Sequence, residues 1–315
     1  LGSALKCQYI KKRTSEKVKE MPRTITEHLM YSTTKITSML KGAETGSGTG
    51  FYFSVKIPGN EVYSIPLLIT NKHVLNGADS FLFKAHIRDA QGKPTGEVHT
   101  CLQLVNAISV IPHPDPQIDL CAILMADLFN ETERRGKPIF FTALEEGLIP
   151  SEEEWSNFDA VENLLMVGCP RGIYDEVNNI PIFRRGYSAT PLSRDYEGNA
   201  TFLMDMACFP GSSGSPVFLY DSTGYIDVKT KTNVMGQRVK FVGVLFRGPL
   251  VNNEGQIIFN NIPMVEVKSM MHLGEVIKSN QLKALTDEIL SRGQKQLAAE
   301  MAKSLVGEAP KPAAS

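Results

Sequence analysis

Three short stretches carry residue types that together could break an acyl bond by nucleophilic attack. Phe209 to Phe218 reads Phe-Pro-Gly-Ser-Ser-Gly-Ser-Pro-Val-Phe and places Ser213 between glycines. A serine hydroxyl is a poor nucleophile at its free pKa, so it needs a neighbouring base to take its proton and fixed donors for the oxyanion formed on attack. Gly211 has no Cβ and can turn its N–H inward beside that of Ser213, which makes those two amides the candidate oxyanion hole. Glycine and serine also dominate ordinary turns, so this motif alone does not separate a nucleophile from a loop.

His73 and Asp119 supply the missing groups. His73 follows the apolar run Pro66-Leu-Leu-Ile-Thr70, which reads as a buried strand and so places the imidazole at a strand end, able to face a cleft. The other five histidines have poorer settings. His28, His86 and His99 fall in alternating, strand-like segments, His113 sits in the Pro-rich turn Ile111-Pro-His-Pro-Asp-Pro116, and His272 precedes the C-terminal helix. Asp119 opens Leu120-Cys-Ala-Ile-Leu124, an expected core strand, and a carboxylate at the edge of such a run needs a partner. Accepting a bond from imidazole Nδ1–H, it would fix the tautomer and stabilise the imidazolium. Asp115, flanked by Pro114 and Pro116, reads instead as a solvated turn residue.

The set Thr70-x-x-His73, Asp119-Leu-x-x-Ile-Leu124 and Gly211-Ser-Ser-Gly-Ser-Pro216, in the order His, Asp, Ser, resembles the chymotrypsin-like (trypsin-fold) serine peptidases. The Gly-rich stretch Gly46-Ser-Gly-Thr-Gly-Phe51 and the segments Val167 to Gly172 and Arg184 to Gly186 resemble bacterial, cytosolic-looking members more than secreted digestive ones. The resemblance runs over roughly residues 25 to 285. It implies an all-β fold of two six-stranded antiparallel β-barrels with a C-terminal α-helix, and an endopeptidase in which His73, Asp119 and Ser213 are catalytic. It places substrate-binding positions at Ala207, Phe246, Arg247 and Gly248.

Departures from the family pattern carry information too. Ser212 stands where many members have an aspartate, so the buried ion pair with a trimmed N-terminus is not expected. Ala207, at the pocket-floor position, gives no reason for a Lys or Arg preference. Phe246 and Arg247 replace the more familiar Ser-Trp pair, which points to small or apolar side chains at the cleavage site, with Arg247 favouring an acidic one as the alternative.

A formal net charge of −1 over 315 residues gives no electrostatic case for nucleic acid or a membrane surface, and no run approaches the ~20 apolar residues of a span. The start of the chain has no signal-like apolar region. Five cysteines (7, 101, 121, 169, 208) with no Cys-x-x-Cys pair argue against a disulfide framework and against a structural zinc site. No cofactor or metal is expected, the partner is a polypeptide substrate, and the compartment is cytoplasmic. Gly46 to Gly50 lacks the Gly-Lys-Ser/Thr of a phosphate loop and reads as close-packing glycines in a strand.

The elements that must position these groups divide the chain as follows. Residues 1–24 form a basic extension, 25–135 a first barrel with His73 and Asp119, 136–270 a second barrel with Ser213, 271–305 a helical segment and 306–315 a disordered tail. First-barrel strands are expected at Leu29-Met-Tyr31, Thr49 to Lys56, Val62 to Thr70, Ser80 to Ile87, His99 to Val105 and Leu120 to Met125. Ser151-Glu-Glu-Glu154 has capping-box spacing and should start a short helix containing Trp155, inside a connection from Ala126 to Phe158. Second-barrel strands follow at Leu164, Phe183 to Tyr187, Thr201 to Met206, Val217 to Tyr220, Lys240 to Phe246 and Gln256 to Phe259. An exposed hairpin or loop is expected between Asp221 and Gln237. Val276, Ile277, Leu282, Leu285 and Ile289 share one helical face. The N-terminal arm and the C-terminal helix are the candidate surfaces for a protein partner. Two other readings compete: an α/β-hydrolase, disfavoured because Ser215 breaks Gly-x-Ser-x-Gly and the histidine lies upstream, and a catalytically silent protease-fold binding or scaffold protein.

Overall fold

Two β units and a C-terminal helix make up the chain. The computed structural model describes residues 10–11, 24–248, 250–254 and 266–307, and the N-terminal extension, the tail and Gln256 to Phe259 lie otherwise outside them. In the first unit, β1 (Thr33–Leu40), β2 (Ala43–Ile57), β3 (Asn60–Thr70), β4 (Ser80–Arg88), β5 (Pro94–Leu104), β6 (Val110–Pro112) and β7 (Cys121–Leu124) run in the order β5-β4-β1-β2-β3-β7-β6. Ile10–Lys11 adds to β3, Leu144–Glu145 to β2 and Ile139–Phe140 to β4.

Among the described residues this sheet does not close, so the expectation of two barrels holds for one unit only. Its two ends are β5 and the three-residue β6, whose last residue, Pro112, has no N–H for a further ladder. The second unit does close: β8 (Asn163–Gly168), β9 (Ile182–Ser188), β10 (Thr201–Asp205), β11 (Pro216–Asp221), β12 (Arg238–Arg247) and β13 (Leu273–Lys278) form a barrel in the order β8-β9-β10-β13-β12-β11. Every neighbouring pair in it is antiparallel.

Several local expectations are corrected. Leu29 lies in a helix, α1 (Ile25–Met30), because Thr24 Oγ1 accepts from Glu27 N–H while Glu27 Oε2 accepts from Thr24 N–H, a capping box that commits the first turn. The connection after β7 opens with a helix, Ala126–Arg134, which buries Ala126, Phe129 and Thr132. Val276 and Ile277 belong to strand β13, not to the helix. That strand is buried on both faces from Gly274 onward, so its apolar residues run on without alternation into those of the helix Gln281–Gly307. The short helix Glu152–Ser156 has the expected Ser151–Glu154 box and buries Trp155, and the hairpin Gly224–Asp227/Thr232–Met235 fills the 221–237 segment.

One apolar cluster joins the units. It unites Phe51, Phe53, Leu67 and Ile69 of the first sheet with Leu165, Val167, Phe218, Phe241 and Val244 of the barrel, and Leu282, Leu285 and Ile289 of the C-terminal helix seal it. Burial of side chains this size contributes about 1.5–3 kcal/mol each, which fixes the two units against one another and with them the cleft between. A second cluster fills the barrel, including Met204, Met206, Cys208, Leu245 and Val276. At one barrel end Arg238 bonds both Glu162 and Asp221, three charged side chains no more than 14% exposed.

Candidate active site

Strand β3 ends at Thr70, and the next residues turn into a single helical turn, α2 (Lys72–Leu75), which carries His73. The Asn71 side chain does not cap this turn. Its Nδ2 donates instead to the Asp119 carbonyl at 2.7 Å, drawing the residue before β7 against the turn. The Asp119 carboxylate then takes both available donors of His73: Oδ1 accepts the backbone N–H at 3.1 Å, and Oδ2 lies 2.5 Å from ring Nδ1. With two oxygens engaged, the imidazole has one orientation and Nε2 faces away from the carboxylate. The ring is about half exposed and the aspartate a quarter (47% and 23%), so the pair borders solvent without being immersed in it. Asp115, the competing acid, bonds the Gln117 N–H in its own turn. His113 is buried and its Nε2 contacts the Gln281 carbonyl, and His86 Nε2 contacts the Asn179 carbonyl, so both have structural partners.

Ser213 reaches this neighbourhood through Thr49, a residue the sequence did not single out. Thr49 N–H donates to the Ser213 carbonyl at 2.8 Å, its Oγ1 donates to the Gly211 carbonyl at 3.0 Å and accepts from Cys169 N–H, and its carbonyl accepts from Thr70 Oγ1 at 2.7 Å. One strand residue thus ties the serine loop, the Cys169 turn and the end of β3 together. Its neighbour Gly48 lies so close to Val74 that a Cβ would come within 2.6 Å of both Val74 methyl groups. The histidine turn and the serine loop therefore pack on adjacent residues of the same strand, which explains why Gly-Ser-Gly-Thr-Gly is found there. The threonine is the only residue in that run with a side chain that can both donate and accept while staying β-branched, and that was the available signal.

The Ser213 hydroxyl donates to the Phe246 carbonyl at 3.3 Å and makes no hydrogen bond to His73 in this conformation. Ser212 is fully buried, with its Oγ unbonded. Gly211 and Gly214 have φ of +87° and +88°, and side chains at either would collide with backbone: Cys169 O and Arg171 N at 3.0 Å for the first, Thr49 O at 1.9 Å for the second. The Pro210 carbonyl accepts the Arg171 N–H at 2.6 Å, in a turn where Arg171 itself has φ 50° and ψ 28°. Since the peptide plane is trans, a carbonyl held outward turns the Gly211 N–H the opposite way. Among the described residues, neither that N–H nor that of Ser213 donates to a backbone carbonyl.

The other positions gather beside the serine. Gly248 packs on Leu273 and Cys208, Gly274 lies against Cys208 Sγ, and the Ala207 carbonyl accepts from Arg184 Nη1 at 2.6 Å. Cys208 belongs to the apolar core of the barrel together with the thioethers of Met204 and Met206. Burial pushes the Cys208 thiol up to about 12, so it is a neutral, apolar lining group. Phe246 is half-buried, whereas Arg247 is exposed and bonded to the buried Glu275, whose other oxygen accepts from Thr201 Oγ1. That pairing gives the Arg247 guanidinium an acidic partner within the barrel. Among the described residues no group of three His, Cys, Asp or Glu side chains is placed to hold a metal ion, and no helix is long and apolar enough to cross a membrane.

No curated protein matches the chain. Among solved structures, a serine endoprotease from Yersinia pestis aligns over 87% of this chain and 69% of its own at 13% identity and TM-score 0.46. The catalytically active tobacco etch virus protease complexed with product aligns over 87% and 84% at 12% identity and TM-score 0.44. A thermostable serine protease, AL20, from an extremophilic microorganism aligns over 83% and 98% at 14% identity and TM-score 0.43. The model of the trypsin-like peptidase domain matches residues 48–226, a span that begins at the Gly48–Thr49 staple, takes in His73, Asp119 and Ser213, and covers more than half of the 315 residues. By that match the chain belongs to the trypsin-like peptidase domain family.

Proposed function

We propose that the protein is a serine endopeptidase that cleaves peptide bonds through an acyl-enzyme intermediate. The observation that carries this reading is the two-point grip of Asp119 on His73, set beside a serine loop held by the same strand. The reading requires Ser213 Oγ to leave the Phe246 carbonyl and bond His73 Nε2. Ser213 then attacks the scissile carbonyl, Nε2 accepts its proton, and Asp119 stabilises the imidazolium before the proton passes to the leaving amine. The Gly211 and Ser213 amides hold the oxyanion, each contributing on the order of 3 kcal/mol to the transition state. The substrate adds as an extended strand beside Phe246 to Gly248, with its side chain over Ala207 and Cys208. Four buried, unpaired thiols, Cys101, Cys121, Cys169 and Cys208, favour a reducing compartment such as the cytoplasm.

The alternative, a silent protease-fold binding or scaffold protein, is favoured by one observation, the Ser213 bond to Phe246 in place of His73. Digestion of an unfolded protein and a diverse peptide library, with cut sites mapped by mass spectrometry, decides between them. The endopeptidase reading requires new termini with the wild type and none with Ser213→Ala or His73→Ala. Identical fragment patterns for all three proteins, or intact peptides throughout, would establish the scaffold.

A further inference from the structure

Four cations form a continuous collar beside the serine loop. Arg171 and Arg184 both lie over the Phe209 ring, with guanidinium carbons 5.1 and 5.0 Å from its centre. Arg171 is followed by Gly172, and Lys35 Nζ lies 3.1 Å from where a Cβ on that glycine would stand. Lys35 and Lys84 in turn share the Tyr174 ring, each 5.7 Å from its centre. Rings beneath cations align the collar while leaving its charge uncancelled.

The group combines this clustering on two rings with a lack of carboxylates. Arg238, Arg247, Lys278, Lys240 and Arg88 each have an acidic partner within 4 Å, whereas none of the four collar cations does among the described residues. The neighbouring Asp175 turns its oxygens to the Val177 and Asn178 amides of its own loop. Arg184 Nε is buried without any acceptor. In a chain of net charge −1 this is a local concentration of positive charge, not a general excess. Its place follows from the chain: Phe209 and Pro210 lead into the loop of Gly211 and Ser213, and the Pro210 carbonyl accepts the Arg171 N–H.

We propose that Lys35, Lys84, Arg171 and Arg184 select substrates with acidic side chains near the scissile bond. This rests on the endopeptidase reading, in which the substrate crosses the serine loop that the collar borders. Each solvent-exposed ion pair contributes about two- to fivefold in affinity, so three such pairs give roughly a ten- to hundredfold preference. The preference weakens steeply with salt, as the screening length falls from ~10 Å at 0.1 M to ~3 Å at 1 M.

The test measures binding apart from chemistry. Fluorescent decapeptides carrying a run of four glutamates, or four glutamines, are titrated by anisotropy against Ser213→Ala protein at 0.05 and 0.5 M salt. The collar predicts at least tenfold tighter binding of the glutamate peptide at low salt, loss of that margin at high salt, and its reduction about fivefold or more in the Lys35→Gln/Lys84→Gln double variant, whose two side chains are half-buried and make no ion pair among the described residues. Equal affinity for the two peptides would overturn the proposal, as would a margin untouched by the double variant, or tighter binding of a single-stranded oligonucleotide of equal charge. Fluorophosphonate labelling of wild-type Ser213, run in parallel, keeps the two ideas separate. Labelling without a charge preference refutes the collar alone, and a charge preference without labelling refutes the peptidase alone.

Discussion

Replacing Gly214 by alanine tests the way the serine loop is locked to the first sheet. At φ +88° an alanine is strained by about 1–2 kcal/mol, and its Cβ would meet the Thr49 carbonyl at 1.9 Å and Thr70 Oγ1 at 2.7 Å. Real Cβ contacts stay beyond about 3 Å, so the loop and β2 must part by about 1 Å. That movement loosens three bonds: Gly214 N–H to Leu245 O, Thr49 N–H to Ser213 O, and Thr70 Oγ1 to Thr49 O. At about 1 kcal/mol each, with the strain, the loss comes to about 4 kcal/mol. Gly96 is a matched control, since its φ is +85° and a Cβ there meets nothing within 4 Å. Urea denaturation should show Gly96→Ala losing only about 1–2 kcal/mol. A 1 Å displacement of the nucleophile should also slow acylation by about a hundredfold, measured as the rate of fluorophosphonate labelling. The reasoning fails if Gly214→Ala is as stable as Gly96→Ala, or labels within threefold of wild type.

Other expected outcomes follow from the same geometry. Asp119→Asn keeps an acceptor for the His73 N–H but presents an amide N–H to ring Nδ1, moving the imidazole proton to Nε2. Peptide turnover should fall by about 10⁴ at neutral pH with little change in melting temperature, and a loss under tenfold would contradict the tautomer argument. Arg238→Ala strands Glu162 and Asp221 and should cost about 3–5 kcal/mol in urea denaturation. Burial already holds the Glu162 carboxyl above its usual range, so the folded state keeps that proton longer than the unfolded chain. Stability from this group therefore falls as pH rises from about 4.3, more steeply in the variant, and a variant more stable at pH 7 than at pH 4 relative to wild type would refute the sign. Burial pushes the thiols of Cys101, Cys121, Cys169 and Cys208 up to about 12, so mass mapping after iodoacetamide treatment at pH 8 should find these four unmodified until denaturant is added.

The contact between His73 and Asp119 was legible because each residue sits at the end of an apolar run, and strands β3 and β7 pair antiparallel with Thr70 opposite Cys121. The register then brings the residues flanking those ends together. What the sequence did not reveal depends on backbone dihedrals and on packing across the units. Arg171 occupies a left-handed conformation that no arginine advertises, and the outward turn of the Pro210 carbonyl depends on it. Thr49 was hidden among glycines because its three roles involve partners over a hundred residues away as well as Thr70. The strand Leu273–Lys278 was read as helix because burial on both faces erases the alternation that marks a strand. The open first sheet, in place of a closed barrel, turns on whether the two edge strands β5 and β6 pair, which side-chain pattern does not determine.

The central claim is that Ser213 is a nucleophile activated by His73. Intact-protein and peptide mass spectrometry after treatment with a fluorophosphonate, at several pH values, measures this most directly. One adduct on Ser213 in the wild type, with a rate that falls at least a thousandfold in His73→Ala, is the predicted result. An adduct on another residue, or a rate that is the same in His73→Ala, would contradict it.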